Sequence, residues 1–222
     1  MDNDHDREIM LAELAAKRKA AQWDGYMNLA DFHGGYYDCD FVSPYTKSAG
    51  NTSSKIFVML QDWSSEDGLS GPRDPETKRF GYAPSVATNR NLERLLKEHF
   101  EVSISQVYAT NLFPFIKPGG MSSSIRHKEL LRAAKEFALP QVKIVAPRLV
   151  IALGMTCFNI LRNALDEESV YPLSAAIESP IDSGPSRIWC QAHTGWGACH
   201  RGGADVVNKD WRLMAEWFKS HQ

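Results

Sequence analysis

Four short apolar runs, KIFVML (55–60), SQVYATNLF (105–113), RLVIAL (148–153) and SRIWCQA (186–192), alternate with longer stretches of helical spacing, and that alternation restricts the fold more than any other feature of the chain. A chain that returns to an apolar strand after each helix builds βαβ units, which pack as a mainly parallel sheet covered on both faces. The helical stretches are clear. NRNLERLLKEHF (89–100) sets Leu92, Leu95, Leu96, His99 and Phe100 on one face, IRHKELLRAAKEFALPQV (125–142) follows a serine-rich turn, and MTCFNILRNAL follows Gly154. The last helix repeats Val207, Trp211, Met214 and Phe218 at i, i+4, i+7 and i+11. These patterns predict a single-domain three-layer α/β/α sandwich with a central, mainly parallel four-stranded sheet over residues 31–222. Residues 1–30 read as an N-terminal helical extension. There, REIMLAELAAKRKAAQW (7–23) spaces Met10, Leu14, Lys17 and Ala21 beside Ile9 and predicts an amphipathic helix packed on the domain.

At 222 residues and 43% hydrophobic the chain can bury a sizeable core unaided. No apolar run approaches the roughly 20 residues that span a bilayer, and the first ten residues are charged where a signal peptide would be apolar. A soluble cytoplasmic monomer with no membrane partner is the expectation. Cys39, Cys157, Cys190 and Cys199 form no C-x-x-C pair, which fits free thiols rather than a disulfide framework. Cys190, His193, Cys199 and His200 invite a zinc reading, but Cys190 sits inside an apolar strand where a buried thiol is ordinary. Neither a metal nor another cofactor is expected. A net charge of -2 argues against a strongly basic coat, although backbone binding needs only a local patch. Arg73, Lys78, Arg79, Arg90, Lys117, Arg126, Lys128 and Arg201, largely in or beside loops, are candidates for one.

In parallel sheets ligands bind outside the carboxyl ends of the strands. That rule puts Gln61-Asp62-Trp63, Asn111, Gly154 and His193 along one rim, each near the end of a predicted strand. Each has a plainer explanation: Asp62 as a helix cap, Asn111 as a turn former before Pro114, His193 as a structural histidine. A carboxylate, an amide and an imidazole on three strand ends, with Trp63, Phe80, Tyr82 and Trp196 as flat surfaces, is a rarer combination.

The order of four segments, VMLQDWSS (58–65), VYATNLFPF (107–115), APRLVIALG (146–154) and CQAHTG (190–195), resembles the uracil-DNA glycosylase superfamily over about residues 42–218. Departures accompany the likeness. Leu60 and Trp63-Ser64-Ser65 replace parts of a Gly-Gln-Asp-Pro-Tyr-His motif, and His193-Thr194-Gly195 replaces His-Pro-Ser. The four-cysteine iron–sulfur cluster of some branches is not expected, because no paired cysteines occur.

The resemblance implies hydrolysis of the bond between a damaged base and its sugar in DNA, after the nucleotide is extruded into a pocket. Asp62 and His193 would be the catalytic pair, Asp62 stabilising the cation-like sugar and orienting water, neutral His193 donating to the base oxygen. Gln61, Trp63, Phe80 and Asn111 would surround the base, with Asn111 reading its edge and Phe80, or alternatively Tyr82, stacking on it. Ser64, Ser65, Thr194, Trp196 and Arg201 would contact the DNA, Trp196 as a wedge and the others at phosphates. The enzyme would be monofunctional, since no lysine stands in a motif position suited to a Schiff base. Two other readings remain open: a nucleic-acid-binding relative that no longer turns over, and an α/β protein that binds a small nucleotide or phosphate at the same rim.

Overall fold

A computed structural model describes residues 3–195 and 200–221. Its core is a five-stranded sheet in the order β2-β1-β3-β5-β4, where β1 is Ile56–Asp62, β2 Tyr108–Phe113, β3 Leu149–Leu153, β4 Ile181–Ser183 and β5 Ser186–Gln191. The four anticipated strands pair in parallel, and the unanticipated β4 is an antiparallel edge strand of three residues, joined to β5 by a tight turn at Gly184-Pro185. So short a run carries no periodicity for sequence reasoning to detect.

Strand parity sorts the core into two layers. Phe57, Met59, Val150, Ala152, Ile188 and Cys190 face one side, under α5 (His127–Ala133), α6 (Leu139–Val145) and α7 (Met155–Ala164). Ile56, Val58, Leu60, Leu149, Ile151 and Leu153 face the other, under α4 (Ala87–Phe100) and, after the short α8 (Leu173–Ile177) in the chain, the C-terminal helix α9 (Ala204–Ser220). The residues expected on the buried faces of α4 and α9 lie there, with Trp211 and Met214 fully enclosed. The helix expected over 125–142 is present as one unbroken helical run over 127–145, in which α5 passes through a π-helical stretch at Ala134–Ala138 into α6. Pro140, in the first turn of α6, has no N–H to donate, and a local widening of the helix accommodates that loss.

Helix α1 (Asn3–Ala20) packs on the domain as expected, with Leu14 and, just beyond the helix, Ala21 against the core, but its buried face is turned away from Met10 and Lys17. Ile9 and Met10 are exposed, whereas Leu11, Leu14, Ala15 and Arg18 turn inward. Arg18 explains the discrepancy. It occupies an i+7 core position and is fully buried, donating to Asn28 Oδ1 at 3.0 Å, Asp38 Oδ1 at 2.7 Å, and the Cys39 and Phe41 carbonyls at 2.7 and 2.9 Å. An arginine that satisfies four acceptors belongs in the interior, but a hydropathy pattern counts it as surface.

Cys39, Cys157 and Cys190 are free and buried, and burial raises each thiol, that of Cys190 to about 12. They are packing groups. Cys199 and Trp196 lie outside the described residues. Among the described residues no helix is long and apolar enough to cross a membrane, and no cluster of three or more His, Cys, Asp or Glu could hold a metal ion.

Candidate active site

Alternation along the strands decides which side chains meet. Asp62 shares the parity of Val58 and Leu60, and Asn111 that of Ala109, so both point toward the α4 layer at the carboxyl end of the sheet. In the parallel register Leu60 stands beside Asn111 and Asp62 beside Phe113, which sets the carboxylate and the amide diagonally across two strands. His193 arrives from the segment after β5. Asp62, Asn111 and His193 line one hollow of about 430 Å³, together with Trp63, Ser64, Tyr45 and Tyr82.

The imidazole is held in a defined state. The Gly195 backbone N–H donates to His193 Nδ1 at 3.2 Å, which puts the ring proton of the neutral form on Nε2. Burial lowers the His193 pKa from its ordinary value, against a smaller opposing pull from the Asp62 charge. Neutral His193 therefore offers one N–H donor. Gly195 packs closely here: a Cβ would stand 2.6 Å from Thr88 Oγ1 and 3.2 Å from the His193 ring, so a side chain at this position would have to displace one or both.

Asp62 has a partner the strand-end pattern did not announce. Lys117 Nζ lies 2.9 Å from Asp62 Oδ2 and donates to the Met121 carbonyl at 2.6 Å, with its side chain only 3% exposed. Gln61 Nε2 donates to Asp62 Oδ1 at 3.0 Å. Lys117 is thus a buried ion-pair partner rather than a member of an exposed basic patch, and a lysine does stand at the site. The signal was its setting: FPFIKPGG places a lone cation in an otherwise apolar run shortly after β2.

The aromatic walls differ from expectation. Phe80 ends α3 (Pro75–Phe80), packs into the α4 layer under the Arg79 guanidinium at 5.0 Å and does not line the hollow. Tyr82 takes that place, stacked on Tyr45 with centroids 4.8 Å apart and planes at 19°. Burial raises both phenols well above the ordinary tyrosine value, so they remain neutral surfaces. Their hydroxyls are engaged, Tyr45 donating to Asn89 Oδ1 and Tyr82 to Glu93 Oε1. Trp63 also lines the hollow, its indole N–H donating to the Gly81 carbonyl at 2.7 Å.

A second hollow, of about 740 Å³, opens beside the first and shares Asp62, Val86, Thr88, Met121 and His193 with it. Gln61 lines this outer space rather than the inner one, as its opposite parity requires. Lys117, Ser122, Ser123, Ser124 and the first residues of α7 complete it.

Three residues expected at phosphates are committed elsewhere. Ser65 is fully buried, and its hydroxyl accepts from the Gly68 N–H as the N-cap of α2 (Glu66–Leu69). Thr194 Oγ1 donates to the Thr88 carbonyl at 2.8 Å, and the Thr194 carbonyl accepts from Asn91. Arg201 grips Asp210 with two donors at 2.7 and 3.0 Å. Of that group Ser64 alone, among the described residues, keeps a place on the cavity wall.

Missed by the sequence reading, besides Lys117, is Ser43. This fully buried residue donates to Asn111 Oδ1 at 2.6 Å and comes from the irregular segment before the first strand. A scan of protein-family models and a search of curated proteins returned no match for the chain, so the arrangement around Asp62, Asn111 and His193 carries the functional reading.

Proposed function

We propose that the chain is a monofunctional DNA glycosylase that hydrolyses the N-glycosidic bond of uracil or a related damaged base, as its likeness to the uracil-DNA glycosylase superfamily implies. One observation carries the reading: Asp62, Asn111 and His193, remote in sequence, line one hollow walled by neutral aromatic rings. A space of about 430 Å³ holds a flipped base with part of its sugar, and the adjoining outer hollow leaves room for the rest of the nucleotide. Asp62, on the boundary between the two, would face the sugar carbon where positive charge develops and orient water toward it. His193 Nε2–H would meet the base oxygen that gains negative charge.

Lys117 does not make a lyase of this site in our reading, because its ammonium is committed to Asp62 and to the Met121 carbonyl. Arg73, Lys78 and Arg79 stand on the segment whose Pro72, Asp74 and Thr77 line the hollow, so a local positive flank borders its mouth despite the net charge of -2.

The direct assay incubates single- and double-stranded oligonucleotides containing uracil and other deaminated bases, without added metal, then cleaves abasic sites with alkali. Release of base, with a loss of about 10²–10⁴-fold in Asp62→Asn and retained binding, supports the proposal. The Lys117–Asp62 pair favours one rival, a binding relative in which the neutralised carboxylate no longer supports hydrolysis. That rival predicts binding that weakens steeply with salt and no abasic product.

A further inference from the structure

Resting on the base-excision reading, we propose that Ser43 is a specificity-determining residue, which locks the Asn111 amide with its NH₂ toward the cavity. The pocket then accepts bases that present a ring carbonyl beside a ring N–H, the edge created by deamination, and rejects their parents with an exocyclic amine.

The direction follows from a chain of one-way donors. The Tyr45 backbone N–H, which can only donate, reaches Ser43 Oγ at 3.3 Å, because Ser43 is the N-cap of the short helical turn Pro44–Lys47. Ser43 is fully buried, and its own proton has one acceptor among the described residues, Asn111 Oδ1 at 2.6 Å. Turning the amide round would set its NH₂ against that hydroxyl and strand the Ser43 proton in the interior. Oδ1 therefore faces Ser43. Asn111 Nδ2 has no acceptor among the described residues, while the residue borders the hollow, so its protons are available to a ligand.

A donor at that point matches a carbonyl oxygen, and the second lone pair of Oδ1 can accept from the neighbouring ring N–H. An amino group in the same place sets donor against donor. Tyr45 links the two functions: its backbone fixes Ser43, and its ring forms the stacked wall with Tyr82. Recognition edge and base-stacking surface are thus built from one short segment.

The test uses short single strands carrying 2′-fluoroarabino-uridine or 2′-fluoroarabino-cytidine, whose glycosidic bonds resist hydrolysis, so binding is read apart from turnover. The wild type is expected to bind the uridine strand at least about tenfold more tightly, and Ser43→Ala to bring the two within about threefold. Ser43→Thr, which keeps the hydroxyl, restores the preference. A role as helix cap alone would weaken both strands equally, and that result overturns the proposal. Equal binding of the two strands by the wild type, or an unchanged ratio in Ser43→Ala, also overturns it. Binding of neither strand overturns it together with the reading beneath it. A Ser43-dependent preference in a protein that releases no uracil keeps the specificity device and removes the hydrolase.

Discussion

Lys117 Nζ stands 2.9 Å from Asp62 Oδ2 in a setting where the two side chains are only 3% and 8% exposed, so the carboxylate to which we assign catalysis is one half of an enclosed ion pair. Removing one member of such a pair leaves the other buried and uncompensated. Lys117→Met, close in shape, is expected to cost about 3–5 kcal/mol of stability, measured as a fall in chemical-denaturation midpoint. It also frees the turn whose Met121 carbonyl Lys117 holds. A loss under about 1 kcal/mol would mean that the pair is solvated and easily broken.

His193 predicts a pH response. Burial lowers its pKa below the ordinary 6.5, so the folded protein resists protonation there. If neutral His193 supplies the donor to the base, excision should persist as pH falls through 6.5 and fade only below it. The same depressed value makes a stabilising contribution that is complete above 6.5 and is lost as pH falls through the folded value. His193→Ala should remove about 10²–10³-fold in rate together with that acid limb. A limb unchanged in the variant would assign it to another group.

Gly81 holds the wall behind Trp63. It has φ +80°, and a Cβ there would lie 1.7 Å from the Pro44 carbonyl oxygen, a backbone contact that no rotamer change relieves. Its own carbonyl accepts the Trp63 indole proton. Gly81→Ala is expected to separate α3 from the 44–47 turn, costing about 2 kcal/mol or more and lowering binding of any base stacked against Tyr45 and Tyr82. Thermal unfolding and intrinsic tryptophan fluorescence would register both effects. An unaltered midpoint would show that the contact opens freely.

The sheet was legible because its strands are continuous apolar runs between helical stretches, and parity then carried Asp62 and Asn111 to one face. The site's polar wiring was not legible to the same degree. Ser65, Thr194 and Arg201 looked free because a strand-end pattern says where a side chain begins and not which distant group has already claimed it. Thr194 is satisfied by Thr88, 106 residues away, and Asn111 is oriented by Ser43 across 68. Arg18 shows the converse: a charge placed on a core face, which periodicity assigned to water, pins the 28–41 segment that brings Tyr37 to the cavity. Long-range hydrogen bonds leave little local trace in composition, whereas hydrophobic burial leaves a periodic one.

Met121 and Val86 are exposed apolar residues that border both hollows, at 57% and 48% exposure. Met121 follows Gly119-Gly120, and its carbonyl is tied to Lys117 and through it to Asp62, so the turn is anchored at its base while the side chain stays largely exposed on the border of both hollows. A duplex from which a nucleotide has been drawn has lost stacking worth a few kcal/mol, and an apolar side chain placed in the gap recovers part of it. A single strand has no such gap. If Met121 fills it, Met121→Ser should slow excision from duplex DNA by about tenfold while leaving single-stranded substrate within about twofold. An equal loss on both substrates would make Met121 a wall of the base pocket, and no loss on either would confine it to the surface.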